Sequence, residues 1–431
     1  MNEWIPLRWP AAWPASALDL LKGTPLNCLV LGHQAGLEAV LGGARARGLA
    51  VAGLAGEAPE GVKVIPCAER SKLDWAAPDP VVAVKDAVWP GIQQGSGAGG
   101  GPTGVPWVDS NGWFVQLARV RAPAKTLWMA VEPPAKSAFL RAASYELAVA
   151  DAETYGARWV VALDEKLRAG LTAGNQEALA TWKRIAVALE FFKARRNWNG
   201  FQLVSGVAVI SDFSGPNEEL AGEILNLAAR RPLPVRPMER SKAAGASFTG
   251  LKAIIYPDQE PPPGELRRKL LEFVRGGGLL IANEKWTPVE GNPSEGDTYR
   301  RFQVRTLGQG RLAVAKEEML DPYAVALDAH LLLSRRHDPV RFFNAGSMNS
   351  QYTVSPDSRR ALLQVLNYSM RPQGHPVSVM FPMRYRAARL WSLADKEPVP
   401  LKAVPAGAGQ PSGIEIHLPA IQAYAAIELE A

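Results

Sequence analysis

Three runs decide how this chain folds: GVAVISD at Gly206–Asp212, LKAIIYPD at Leu251–Asp258 and FVRGGGLLIANE at Phe273–Glu284. Each sets β-branched and aliphatic residues side by side with no polar alternation. That is the pattern of a strand buried on both faces, the usual condition of a parallel sheet covered by helices. The intervening segments carry helical periodicity: Pro216–Arg230, capped by Ser214 or Asn217, and Gly264–Arg275, stopped by the glycines 276–278. Further helices are predicted over Asp321–Leu333 and Asp357–Tyr368, with a strand at Val340–Asn344 between them. Alternation of strand and helix predicts a flavodoxin-like, doubly wound unit over residues 201–372.

Upstream, the same logic gives strands at Trp4–Arg8, Asn27–Leu31, Leu49–Leu54, Val62–Pro66, Val81–Asp86, Val105–Asp109, Thr126–Glu132 and Arg158–Asp164. Helices are expected at Ser16–Leu21, Leu37–Arg47, Trp113–Arg121, Ser137–Tyr155 and Asn175–Arg195. Eight buried strands with crossovers of this size predict an irregular (β/α)8 barrel over residues 1–200. Its connection 90–104, which contains GIQQGSGAGGGPTG, is too rich in glycine for a helix and reads either as a lid or as an ordinary loop. From residue 373 to 431 the runs VSVMFP, AARLWSL, GIEIHLP and AYAAIELE are short and divided by turns, which predicts a small β-sandwich.

Composition excludes several function classes. A length of 431 residues calls for two or three domains. The net charge of +6 comes from arginine pairs scattered along the chain, so no nucleic-acid surface is expected. No apolar run is long enough to span a membrane, and the N-terminus lacks the layout of a secretory signal, which leaves the compartment open. Two cysteines, Cys28 and Cys67, and five dispersed histidines give neither a disulfide framework nor a transition-metal site, and no cofactor is expected.

The middle runs resemble the glutamine amidotransferase-like domain that follows the barrel in multidomain glycoside hydrolases of the β-galactosidase type. The stretch RFFNAGSMNSQYTVSPDSRRALLQVLNYS, followed by VSVMFP and IHLPAIQAYAAIELE, resembles the ending of such enzymes. No cysteine lies beyond residue 67, so the middle unit has no thiolate nucleophile and is expected to be catalytically dead. The resemblance implies a carbohydrate substrate, hydrolysis of a glycosidic bond and a homo-oligomer. It also implies an Asn-Glu pair at the end of the fourth barrel strand, where this chain reads PCAERSK instead. A carbohydrate-binding or scaffold protein on the same fold is the alternative.

Glycoside hydrolysis uses two carboxyl groups across the scissile bond, and a barrel presents such groups at its strand C-terminal ends. Those ends carry Asp86, Asp109, Glu132 and Asp164, with Glu69 close by. Asp109 in DSNGW either caps the following helix or serves as the acid. Glu132, stiffened by two prolines after it, is the expected nucleophile or base, and Asp86 with its neighbour Lys85 the further candidate. Aromatic rings stack on the C–H faces of sugars. Trp89, Trp113 and Trp128 are therefore candidate substrate contacts, together with Asn111 and Lys85.

Overall fold

The computed structural model describes residues 1, 3–93, 101–102, 108–134, 140–231, 233–299, 301–334, 337–369, 376–405 and 413–431. The N-terminal strands form two parallel four-stranded sheets. One runs β1 (Pro6–Arg8), β2 (Cys28–Val30), β3 (Ala50–Leu54), β4 (Lys63–Ile65). The other pairs β5 (Cys67–Ala68) with β6 (Val81–Val84), and sets β9 (Thr126–Met129) and β10 (Arg158–Trp159) beyond them. A separate two-stranded pair, β7 (Ile92–Gln93) and β8 (Gly101–Pro102), stands between β6 and β9 in the chain. The two larger sheets touch through an isolated parallel bridge of Leu7 with Val161. On the other side the chain itself connects them at Pro66, which separates β4 from β5. A proline has no N–H to give to a ladder, so the strand changes sheets there. Among the described residues the expected eight-stranded barrel sheet is therefore not seen. Of the strand expected over Val105–Asp109, residues 105–107 lie outside the described residues and Val108–Ser110 is irregular. Most of the glycine-rich connection also lies outside them.

Helices α1 (Leu37–Ala46), α2 (Gly112–Arg121), α3 (Ala142–Tyr155), α4 (Glu165–Thr172) and α5 (Gln176–Ala194) surround these sheets. Every residue of α3 is buried, because the helix is enclosed by the N-terminal sheets on one side and the C-terminal strands on the other. α4 follows the expected strand end at Asp164, which starts the helix by accepting the Leu167 N–H at 3.0 Å.

The short β11 (Gln202–Leu203) leads into the middle unit. Here β12 (Val207–Ser211), α6 (Pro216–Ala229), β13 (Val235–Glu239), α7 (Arg240–Ala243), β14 (Ala253–Tyr256), α8 (Gly264–Arg275) and β15 (Leu279–Ala282) alternate as the quoted runs require. They are followed by the hairpins β16 (Asn292–Tyr299), β17 (Phe302–Leu307), β18 (Gly310–Ala315), and by α9 (Pro322–Leu333). The sheet order is β13-β12-β14-β15-β18-β17-β16, parallel through β18. α6 and α9 cover one face and α8 the other, which is why the strands carry no polar alternation. Neither Ser214 nor Asn217 caps α6, which is entered through Gly215 at φ 53.

The remaining strands are β19 (Arg341–Phe343), β20 (Met348–Val354), β21 (Arg360–Asn367), β22 (Val377–Phe381), β23 (Ala387–Ser392), β24 (Val399–Pro400), β25 (Ala403–Pro405), β26 (Ile414–Leu418) and β27 (Tyr424–Glu430). One antiparallel sheet runs β11-β20-β21-β27-β23-β24 and a second β19-β22-β26-β25. The helix expected over Asp357–Tyr368 is thus the central strand β21, paired with β20 and β27 rather than with the doubly wound unit. Its two faces explain the error. Leu362 and Leu366 pack into the N-terminal core, whereas Leu363 and Val365 pack between the two antiparallel sheets. A strand buried on both faces shows no alternation, and over this length it reads equally well as a buried helix.

Candidate functional site

The chain leaving β5 and β6 opens into a cleft of about 560 Å³, closed on its far wall by α6. Asp86 lies just beyond the end of β6. The Arg70 backbone N–H donates to its Oδ1 at 2.7 Å, and Arg70 Nε lies 3.3 Å from its Oδ2. Lys85, its neighbour, is exposed and does not line the cleft. Asp109 is half-buried and lines the same cleft. It is not a helix cap, because α2 begins at Gly112 with Asn111 at the cap position. The segment around it is clamped from α6: the Ser110 hydroxyl donates to Asn226 Oδ1 at 2.8 Å, and Asn226 Nδ2 donates to the Val108 carbonyl at 2.7 Å.

Trp113, in the first turn of α2, is half-buried in the cleft wall with the Arg70 guanidinium 5.6 Å from its ring centroid. Facing it, α6 contributes Glu218, Glu219 and Glu223. Burial pushes the Glu223 carboxyl above its ordinary value, and the charges of Asp109 and Glu219 act in the same direction. Burial also raises Glu218, against the opposing pull of Arg70. The cleft thus combines an arginine-paired carboxylate with a carboxyl biased toward its protonated form, the separation of environments that acid–base chemistry needs. The α6 acids escape a sequence reading because they lie in a different unit from the strand ends they face.

Glu132, the expected partner of Asp109, lines a different cavity. This one, of about 480 Å³, gathers the C-terminal ends of β1, β2, β3 and β9 with the segment after β10. Arg8 sits between two acids there: Nη2 lies 2.6 Å from Glu57 Oε2 and Nε 2.5 Å from Glu132 Oε1. Glu57 belongs to the short connection 55–61, which carries no sequence signal beyond that of a turn.

Three expected substrate contacts are structural instead. Trp89 is fully buried, its ring set edge-on against Tyr145 at 5.5 Å and Trp159 at 5.2 Å. Trp128 is fully buried beside Trp4, 6.3 Å away. Tryptophans so enclosed have no face left for a sugar, and large aromatics fill a core of this size. Asn111 is buried and bonds inward: its Oδ1 accepts from the Val88 N–H at 3.0 Å, and its Nδ2 donates to Asp151 at 2.8 Å. It ties the segment after Asp86 to α3 without lining the cavity. Asp164 caps α4 and accepts the Tyr145 hydroxyl at 2.6 Å, and Glu69 pairs with Lys72 at 2.5 Å.

No protein-family model matches the chain, and no curated protein is similar to it in sequence. Among solved structures it is similar to a catalytic mutant of Gan42B, a GH42 beta-galactosidase from G. stearothermophilus. There the identity is 12% and the TM-score 0.52, over 92% of this chain and 66% of that one. The beta-galactosidase from Bacillus circulans sp. alkalophilus matches at 10% identity and TM-score 0.52, over 91% of this chain and 66% of that one. A rhamnosidase from Novosphingobium sp. PP1Y matches at 13% identity and TM-score 0.51, over 91% of this chain and 38% of that one. The chain therefore has a glycoside hydrolase-like multidomain fold, and it spans at most 66% of the length of these three structures. Among the described residues, no helix is long and apolar enough to cross a membrane.

Proposed function

We propose that this protein is a carbohydrate-active hydrolase that cleaves a glycosidic bond in the cleft between the β6 end and α6. One observation carries this reading: Asp86, paired with Arg70, and Asp109 share a single cavity with Glu223, whose carboxyl burial pushes up. In the proposed reaction Glu223 protonates the leaving oxygen. Asp86 or Asp109 supplies the charged carboxylate that attacks the sugar carbon or activates water. Trp113 provides the aromatic wall for a sugar ring, and the hydrolase-like fold supports a carbohydrate as the ligand. Glu132, assigned to a separate cavity and tied to Arg8, takes no part.

The test is a panel of aryl glycosides and oligosaccharides offered to the wild type and to Asp86→Asn, Asp109→Asn, Glu223→Gln and Glu132→Gln. Removal of a general acid or base lowers kcat by about 10²–10⁴-fold. Glu223→Gln and at least one aspartate variant are expected to fall in that range, with Glu132→Gln close to wild type. Loss confined to Glu132→Gln would overturn the assignment of the cleft.

A second reading, sugar binding without cleavage, is favoured by Arg8. At the C-terminal ends of β1, β3 and β9 a guanidinium clamped by Glu57 and Glu132 engages the carboxylates that a hydrolytic pair would need free. No turnover on any sugar, with saturable binding that Arg8→Ala abolishes, would establish that reading.

A further inference from the structure

Where the middle sheet reverses its winding, the chain passes from β12 to β13 on one side, whereas β14 adds on the other. In open parallel sheets the crevice beyond the strand C-terminal ends at such a point is the usual place for a ligand. Three acids meet in this crevice: Asp212 directly after β12, and Asp258 and Glu260 just after β14. Each offers a carboxylate oxygen, and the three oxygens lie within 4.8 Å of one another.

Arg240 reaches all three, with Nη2 at 2.8 Å from Asp212 Oδ2 and Nη1 at 3.0 Å from both Asp258 Oδ2 and Glu260 Oε2. One guanidinium against three carboxylates leaves two negative charges over. The floor of the crevice is Asp258, wholly buried, and its Oδ1 has no hydrogen-bond partner. Burial pushes the Asp258 carboxyl up to about 6, against the Ser211 hydroxyl and the Asp212 N–H, and Ser211 makes no bond of normal geometry to Oδ1. Leaving a buried carboxylate oxygen without a partner is costly unless a cation or donor meets it. Above it Asp212 is partly open, and the Glu260 side chain is 62% exposed, so the crevice has an entrance.

We propose that this crevice is a binding site for one divalent metal cation of the oxygen-seeking class, Mg²⁺, Mn²⁺ or Ca²⁺. Asp258, Asp212 and Glu260 are its protein ligands. The donor set contains oxygen and no sulfur or imidazole, which selects hard cations over zinc or copper. Three carboxylates leave the rest of the coordination sphere to water, the normal situation for Mg²⁺. Asn217 stands over the same acids, its Nδ2 3.1 Å from Asp212 Oδ1 and 3.4 Å from Glu260 Oε2, and rotation of this amide presents its oxygen as a further donor. The excess of two negative charges matches the charge of the ion, so Arg240 need not leave the site. The cation does not depend on the hydrolase reading, because none of its ligands lines the α6 cleft.

The test is Mn²⁺ titrated into the metal-free full chain, followed by calorimetry and by the electron paramagnetic resonance signal of free Mn²⁺. MgCl₂ and CaCl₂ then compete for the site. The expected result is one saturable Mn²⁺ per chain, weakened about tenfold or more in Asp258→Asn and measurably in Glu260→Gln. Glu260 is on the exposed rim, so its variant reports on binding even where Asp258→Asn fails to fold. Absence of saturable Mn²⁺ binding in the wild type, or binding that Glu260→Gln leaves unchanged, would overturn the proposal.

Discussion

Replacing Asp151 by asparagine should remove a measurable part of the pH dependence of stability. Asp151 lies on the fully buried α3, and accepts the Tyr368 hydroxyl at 2.6 Å, the Asn111 Nδ2 at 2.8 Å and the Asn111 backbone N–H at 3.1 Å. Those bonds favour its charged form, yet burial outweighs them and pushes its carboxyl up to about 6. A carboxyl raised on folding contributes stability that is fully present below its unfolded pKa and is lost as pH rises through the folded value. Between about pH 5 and about pH 8 the linkage relation gives a loss of about 1.4 kcal/mol for a shift from an ordinary aspartate to about 6. Asparagine keeps the shape. Its carbonyl can accept from Asn111 and its amide can donate to the Tyr368 oxygen, so the network survives without a titrating group. Urea unfolding followed by tryptophan fluorescence at the two pH values, in wild type and Asp151→Asn, isolates the difference of slopes. The wild type should lose about 1.4 kcal/mol more than the variant on going to the higher pH. Equal slopes, or a wild type that gains stability relative to the variant as pH rises, would refute the reasoning.

Two further outcomes follow from packing. A Cβ built on Gly222 lies 2.9 Å from the Trp113 ring, so Gly222→Ala must push α6 from α2 at a cost of about 1–3 kcal/mol, read as a lowered midpoint of unfolding. Arg158 and Glu153 form a buried pair at 2.6 Å. Arg158→Met alone strands a buried carboxyl and should cost about 3–5 kcal/mol, whereas the double variant Glu153→Gln/Arg158→Met should recover most of that loss in the same unfolding assay.

Much of the secondary structure is written locally. Gly264–Arg275 is helical to the residue expected, because three prolines precede it and three glycines follow it. The runs GVAVISD and LKAIIYPD contain β12 and β14, since an unbroken β-branched stretch suits a strand covered on both faces. The same feature misleads at Arg360–Asn367, where burial on both faces erases the alternation that separates strand from helix. Tryptophan enrichment likewise has two origins, a core to be filled and a ligand to be stacked. Only the packing of Trp89 and Trp128 against Tyr145, Trp159 and Trp4 assigns those two to the core.

By itself the sequence determined the residues that can end a strand with a charge: Asp86, Asp109, Glu132, Asp212 and Asp258 all stand at or beyond apolar runs. Tertiary structure alone decided which of them meet. It put Asp86 and Asp109 against Glu223 across more than a hundred residues of chain, sent Glu132 to Arg8 in another cavity, and closed Asp212, Asp258 and Glu260 around Arg240. The reason is physical. Strand and helix formation answer to neighbours a few residues away, whereas charges act through space, and the distances that govern them exist only once the units have packed.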